Sequence, residues 1–166
     1  MAEKEQIIRE RFAYSGIFDF KSFYNFAHSF LIEEQYGVVE DRYTEKVSGN
    51  SRDMEILWLA TRKYSEYFKV EFKIRFQVEG LTEVEVEIDG QKKKMNKGTI
   101  KGDVRGSLIK DPDSNWELSA VNRFMRDVYN KYVIPGRVFN MELRIKKDVT
   151  LFKDEMKAFL ELSGQR

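Results

Sequence analysis

The stretch Phe68-Lys69-Val70-Glu71-Phe72-Lys73-Ile74-Arg75-Phe76-Gln77-Val78-Glu79 alternates apolar and polar side chains without a single exception. Successive side chains of an extended strand point to opposite sides, so this segment has one dry and one wet face and must lie on a sheet. A sheet wet on one side is antiparallel, because parallel sheets are covered on both.

Working outward, Gly80 interrupts the alternation, and Val84, Val86 and Ile88 then alternate with Glu83, Glu85 and Glu87. Asp89-Gly90 readily takes the positive φ angles of a tight hairpin turn. Lys92, Lys93 and Lys94 follow, facing the glutamates across the turn, where opposite charges support pairing. A further break at Asn96-Lys97-Gly98 leads to a strand over 99–110, with Ile100, Gly102, Val104, Gly106 and Leu108 on one face. Two glycines on an inner face predict bending, or close approach by a helix or ligand. Upstream, Val39, Tyr43 and Val47 mark a strand before the polar loop at residues 48–51. Ile56-Leu57-Trp58-Leu59-Ala60 reads as a central strand, apolar on both faces.

Helices flank this sheet-forming region. A first strand over 5–14 ends at Ser15-Gly16. Asp19 then caps a helix whose Phe20, Phe23, Tyr24, Ala27, Phe30 and Leu31 recur at helical spacing. Phe18 and Phe23 occupy the positions of a hydrophobic staple, and Tyr36-Gly37 is expected to end the segment. Downstream, Asp111-Pro112-Asp113 is a turn and Ser114-Asn115-Trp116-Glu117 fits a capping box. A stripe of Val121, Phe124, Met125, Val128 and Tyr132 follows, with Pro135-Gly136 as its stop. From Arg137 onward, Val138, Met141, Ile145, Val149, Phe152, Met156 and Phe159 step by three or four residues. That spacing predicts a helix of about 25 residues, hence roughly 38 Å long. Alternation of Phe139, Met141, Leu143 and Ile145 leaves a short strand as the rival for residues 137–147.

The expected fold is α+β: an antiparallel sheet of about six strands, an N-terminal helical segment and two C-terminal helices on one face. Residues 1–136 form the core domain, and 137–166 an amphipathic helix that either covers the sheet or binds a partner. With 166 residues, 42% of them hydrophobic, the chain can bury a core of its own.

Composition restricts the chemistry. There is no cysteine and one histidine, His28, so disulfides, thiolate chemistry and a conventional zinc site cannot be assembled within the chain. The acid pairs Glu33-Glu34 and Glu40-Asp41 lack the spacing of a cation loop. Gly98, Gly102 and Gly106 fall within a strand rather than between a strand and a helix, unlike a phosphate cradle. The reading is a non-enzyme without cofactor or metal. Charges nearly cancel, at 29 Lys+Arg against 28 Asp+Glu. Lys69, Lys73 and Arg75 are interleaved with Glu71 and Glu79, which argues against nucleic acid as a partner. The N-terminal Met1-Ala2-Glu3-Lys4-Glu5 lacks a signal-like apolar run and no stretch reaches a membrane span, so a cytoplasmic protein is expected.

The order of strand, helical segment, antiparallel strands and helix over residues 5–133 resembles the helix-grip fold of the START-like (Bet v 1-like) superfamily. That resemblance implies a hydrophobic small molecule held between sheet and helix, lined by Trp58, Phe68, Phe72, Phe76 and Val104, with Gly102 and Gly106 making room. The competing function is a structural or protein-interaction subunit, self-associating or part of a larger assembly. In that case Val138, Ile145, Phe152, Met156 and Phe159 of the terminal helix would contact the partner.

Overall fold

A computed structural model describes residues 3–110, 120–128, 131 and 135–164. The expected turn at Asp111-Pro112-Asp113, the capping box at 114–117 and the stripe position Tyr132 lie outside the described residues. The chain is α+β. It runs β1 (Glu3–Phe18), α1 (Phe20–Glu33), β2 (Gly37–Ser48), β3 (Ser51–Lys63), β4 (Phe68–Ile88), β5 (Gln91–Lys110), α2 (Ala120–Val128) and α3 (Pro135–Gly164). The five strands form one antiparallel sheet in the order β1-β5-β4-β3-β2.

There are five strands instead of about six because the breaks at Gly80 and at Asn96-Lys97-Gly98 face one another. Pairing passes from Glu79↔Thr99 to Thr82↔Lys97 across a bulge, with Gly80 in the left-handed region at φ 63°. A Cβ on Gly98 would stand 3.1 Å from the Leu81 Cα. The two glycines therefore bend one long hairpin and leave its strands unbroken. At its tip Asp89 (φ 53°) and Gly90 (φ 77°) make the expected turn, and Glu85 and Glu87 stand opposite Lys94 and Lys92. Similarly, Ser15-Gly16 does not end β1, which pairs with β5 as far as Phe18↔Asn96.

Helix α1 begins as its sequence predicts. Asp19 Oδ2 accepts from the Ser22 hydroxyl at 2.9 Å, and Asn96 Oδ1 on β5 accepts from the Phe20 amide at 3.0 Å. Its end differs. Gln35 (φ 68°), and not Gly37, takes the left-handed position, while the Tyr36 amide donates to Leu31 O and the Gln35 amide to Ile32 O. This paired bonding terminates the helix two residues earlier and frees Gly37 to open β2.

Pro135-Gly136 starts a helix where it was expected to stop one. A proline needs no amide in a first turn, and α3 runs on for 30 residues, so no strand forms at 137–147. Both α1 and α3 lie on the dry face. Phe23, Ala27 and Leu31 of α1 and Ile145, Val149, Phe152, Met156 and Leu160 of α3 are buried against Phe72, Ile74, Phe76 and Val104. Only α3 of the two C-terminal helices covers the sheet. Val121, Phe124 and Met125 of α2 are 70%, 66% and 50% exposed. No helix among the described residues is long and apolar enough to cross a membrane.

A candidate anion-binding face on the open side of the sheet

The residues expected to line a cavity sit in the interior, and other side chains occupy the space beside them. Trp58, Phe72, Phe76 and Val104 are at most 1% exposed. The Phe76 ring meets Phe12, Phe23 and Trp58 with centroids 6.4, 5.4 and 5.1 Å away, and Phe72 stacks on Tyr36 at 4.6 Å. Phe68, also buried, meets Tyr67 edge-on. A Cβ on Gly102 would fall 2.1 Å from the Phe12 ring, and one on Gly106 would fall 2.7 Å from both Ile145 and Val149. The glycines admit a ring and a helix.

The expected partner-binding stripe has the same fate. Ile145, Phe152 and Met156 are buried on the sheet, and Val138 and Phe159 are half-buried, Phe159 stacking on Phe26 at 4.6 Å. Among the described residues, large apolar side chains stay exposed on α2 at Val121, Phe124 and Met125, and on α3 at Phe139, Leu143 and Leu162.

One polar cluster lies at the edge of this core. The hydroxyls of Tyr36 and Tyr64 are buried without a hydrogen-bond partner among the described residues. The guanidiniums of Arg62 and Arg144 lie 4.3 and 5.0 Å from the Tyr64 ring centre. Burial pushes the Tyr36 phenol far up, and pushes the nearby Asp148 carboxyl up as well, against the pull of Arg144. The adjoining cavity of about 10 Å³ is at the lower limit for one water. Its size leaves no room for a substrate.

The open face of the sheet is different. Register places Arg9, Arg105 and Lys73 side by side on β1, β5 and β4, with Leu59 continuing the row on β3. The next row is Arg11, Asp103, Arg75, Leu57 and Arg42, crossing all five strands. Six cations and one carboxylate thus occupy two adjacent rows. Like charges directly opposite one another destabilise strand pairing, so the row Arg9–Arg105–Lys73 costs the fold stability.

Asp103 offsets part of that cost. Its Oδ2 accepts from Arg9 Nη2 at 2.6 Å and its Oδ1 from Arg9 Nε at 3.1 Å, a two-pronged contact. Arg11 and Arg105 approach the same carboxylate at 3.9 and 3.8 Å. Desolvation pushes the Asp103 carboxyl up, but the Arg9 hydrogen bond and the charges of Arg9, Arg105 and Arg11 outweigh it and hold it below its usual value. Arg75 pairs with Glu55 at 3.2 Å. Arg42 and Lys73 have no ion pair among the described residues. Two depressions, of about 530 and 370 Å³, are lined by residues of these rows and share Arg75 and Asp103; the larger also reaches Phe12, Gly102 and Lys157 of α3 at the β1 edge.

The sequence reading missed this site. Along β4 alone the interleaved glutamates mask it, and only the lateral neighbours on β1 and β5 bring the cations together. Compared with known proteins, the chain matches no family model, no curated protein and no solved structure.

Proposed function

We propose that the protein is a non-catalytic interaction module that binds an anionic partner on the open face of its sheet. The observation that carries this reading is the row Arg9–Arg105–Lys73, three cations abreast on neighbouring strands. The fold bears their repulsion, which an anion would relieve. Arginine predominates in the two rows, and its planar fork suits phosphate, sulfate or carboxylate groups. The carrier reading draws less support, because Phe12, Ile145 and Val149 occupy the space beside Gly102 and Gly106.

Retention on immobilised heparin tests the proposal. Wild-type protein is expected to bind at low salt, and the triple variant Arg9→Gln/Arg105→Gln/Lys73→Gln to elute at clearly lower salt. A control variant with Lys92 and Lys94 replaced by Gln should elute with the wild type, since those lysines stand opposite Glu87 and Glu85. Flow-through of the wild type, or equal losses in both variants, rejects the sheet face as the site.

The exposed stripe Val121, Phe124 and Met125 on α2 favours a second, protein-binding surface in a self-associating assembly. Light scattering across concentration decides it: a mass above that of the monomer, lost in Phe124→Glu, supports it, and a monomer throughout refutes it.

A further inference from the structure

We infer that the anionic partner of the open sheet face is the sugar–phosphate backbone of a single-stranded nucleic acid, held without regard to base sequence. This rests on the anion-binding reading of the face and adds the identity of the ligand.

Extent is the first argument. The row from Arg11 on β1 to Arg42 on β2 crosses five strands. At about 4.8 Å per strand, this spans roughly 19 Å, and the parallel row of Arg9, Arg105 and Lys73 lies about 7 Å from it. A single phosphate or one nucleotide would engage only a corner of this array. A polymer carrying one charge per unit would engage it along its length.

Shape is the second. The two depressions meet at Arg75 and Asp103 and are lined in part by Leu57 and Gly102. A flexible single strand can follow such depressions, as in positively charged grooves that track one backbone, whereas a rigid duplex would touch only their rims.

The third argument is what the face lacks. None of the residues in the two rows, nor in the next row of Ala13, Lys101, Gln77, Glu55 and Thr44, is aromatic. Phe12, which lines the larger depression, is only 5% exposed and offers no ring face to a base, so contact is confined to phosphate and sugar, which carry no sequence information. The same rows lack large apolar side chains standing clear of the surface, apart from Val39. A membrane-docking face needs such anchors beside its charges.

Asp103 has a positioning role in this arrangement. By receiving Arg9, Arg11 and Arg105 it holds three guanidiniums at one place on the sheet before any ligand arrives.

Fluorescence anisotropy of a labelled 20-nucleotide oligouridylate, titrated between 50 and 200 mM salt, tests the inference. Wild-type protein should bind, oligoadenylate should bind within a few-fold as tightly, and a duplex of equal length should bind more weakly. Each phosphate contact to a single strand contributes about 0.7 to the slope of log affinity against log salt, so removing the Arg9, Arg105 and Lys73 charges should flatten it by about 2. Affinity of that variant at 50 mM salt should fall at least tenfold, and Lys73→Gln alone provides a milder variant should the triple one fail to fold. Heparin retention without oligonucleotide binding overturns this inference and leaves the anion-binding face standing. Failure of both removes both. Tighter binding to the duplex, or sedimentation with phosphatidylserine vesicles in place of oligonucleotide binding, also overturns it.

Discussion

The ring of Phe12 lies directly over the α-carbon of Gly102, so closely that a methyl group there would stand 2.1 Å from the ring edge. Phe12 cannot retreat, because Phe23 and Phe76 each sit with centroids 6.4 Å from its own. Gly102→Ala is therefore expected to destabilise the fold by about 2–3 kcal/mol through overpacking. Phe12→Leu should cost stability alone yet recover part of the loss in the double variant. A denaturant-unfolding double-mutant cycle reads the coupling, and strict additivity would show that the ring and the glycine do not constrain each other.

Asp103 is surrounded by cations, and Asp103→Asn tests its part in both stability and binding. Loss of the carboxylate should cost about 1 kcal/mol at pH 7. The folded carboxyl lies below its usual value, so its contribution is present above an unfolded value of about 3.9 and disappears as pH falls through the folded value. Wild type and variant should thus converge in thermal stability under acid. Affinity for heparin should fall in the variant, since Arg9, Arg11 and Arg105 lose the carboxylate that holds them together; a rise would mean that the charge of Asp103 outweighs its positioning role.

Asp148 behaves in the opposite sense. Burial raises its carboxyl above the usual value, with Arg144 only partly compensating at 3.9 Å. Its ionisation therefore opposes folding at neutral pH, and the penalty vanishes below the unfolded value of about 3.9. Asp148→Asn should raise the stability at pH 7 by an amount on the order of 0.5 kcal/mol, read as a higher melting temperature, and make little difference at pH 3. A drop at pH 7 would indicate that the Arg144 contact dominates.

The two C-terminal helices should respond differently to truncation of one aromatic. Phe152 on α3 is fully buried and meets Phe30 at 5.7 Å. Phe152→Ala should cost about 3–5 kcal/mol. Phe124 on α2 is 66% exposed, and Phe124→Ser should shift unfolding by no more than about 0.5 kcal/mol. Comparable losses from both would place α2 in the core.

Local pattern was legible wherever a residue's role depends on its chain neighbours. The alternation from Phe68 to Glu79, the Asp19 cap, the Asp89-Gly90 turn and the helical spacing of Ile145, Val149, Phe152 and Met156 all appear in the structure as read. Punctuation was misread where a partner segment changes its meaning. Gly80 and Gly98 looked like strand ends singly but bend one hairpin together, and Pro135 opens a helix because its missing amide is not needed there.

The sequence by itself determined that there would be a sheet with one dry and one wet face, helices to cover the dry side, and no thiol or histidine-pair chemistry. Each of these follows from residue type and from periods of two or about 3.6 along the chain. Only the tertiary structure decided which helix covers the sheet, what fills the space beside Gly102 and Gly106, and which charges share a surface. Arg9, Lys73 and Arg105 are dozens of residues apart in sequence and become neighbours through strand register alone. Pairing between distant segments is set by how the whole dry face packs, and no local pattern encodes it.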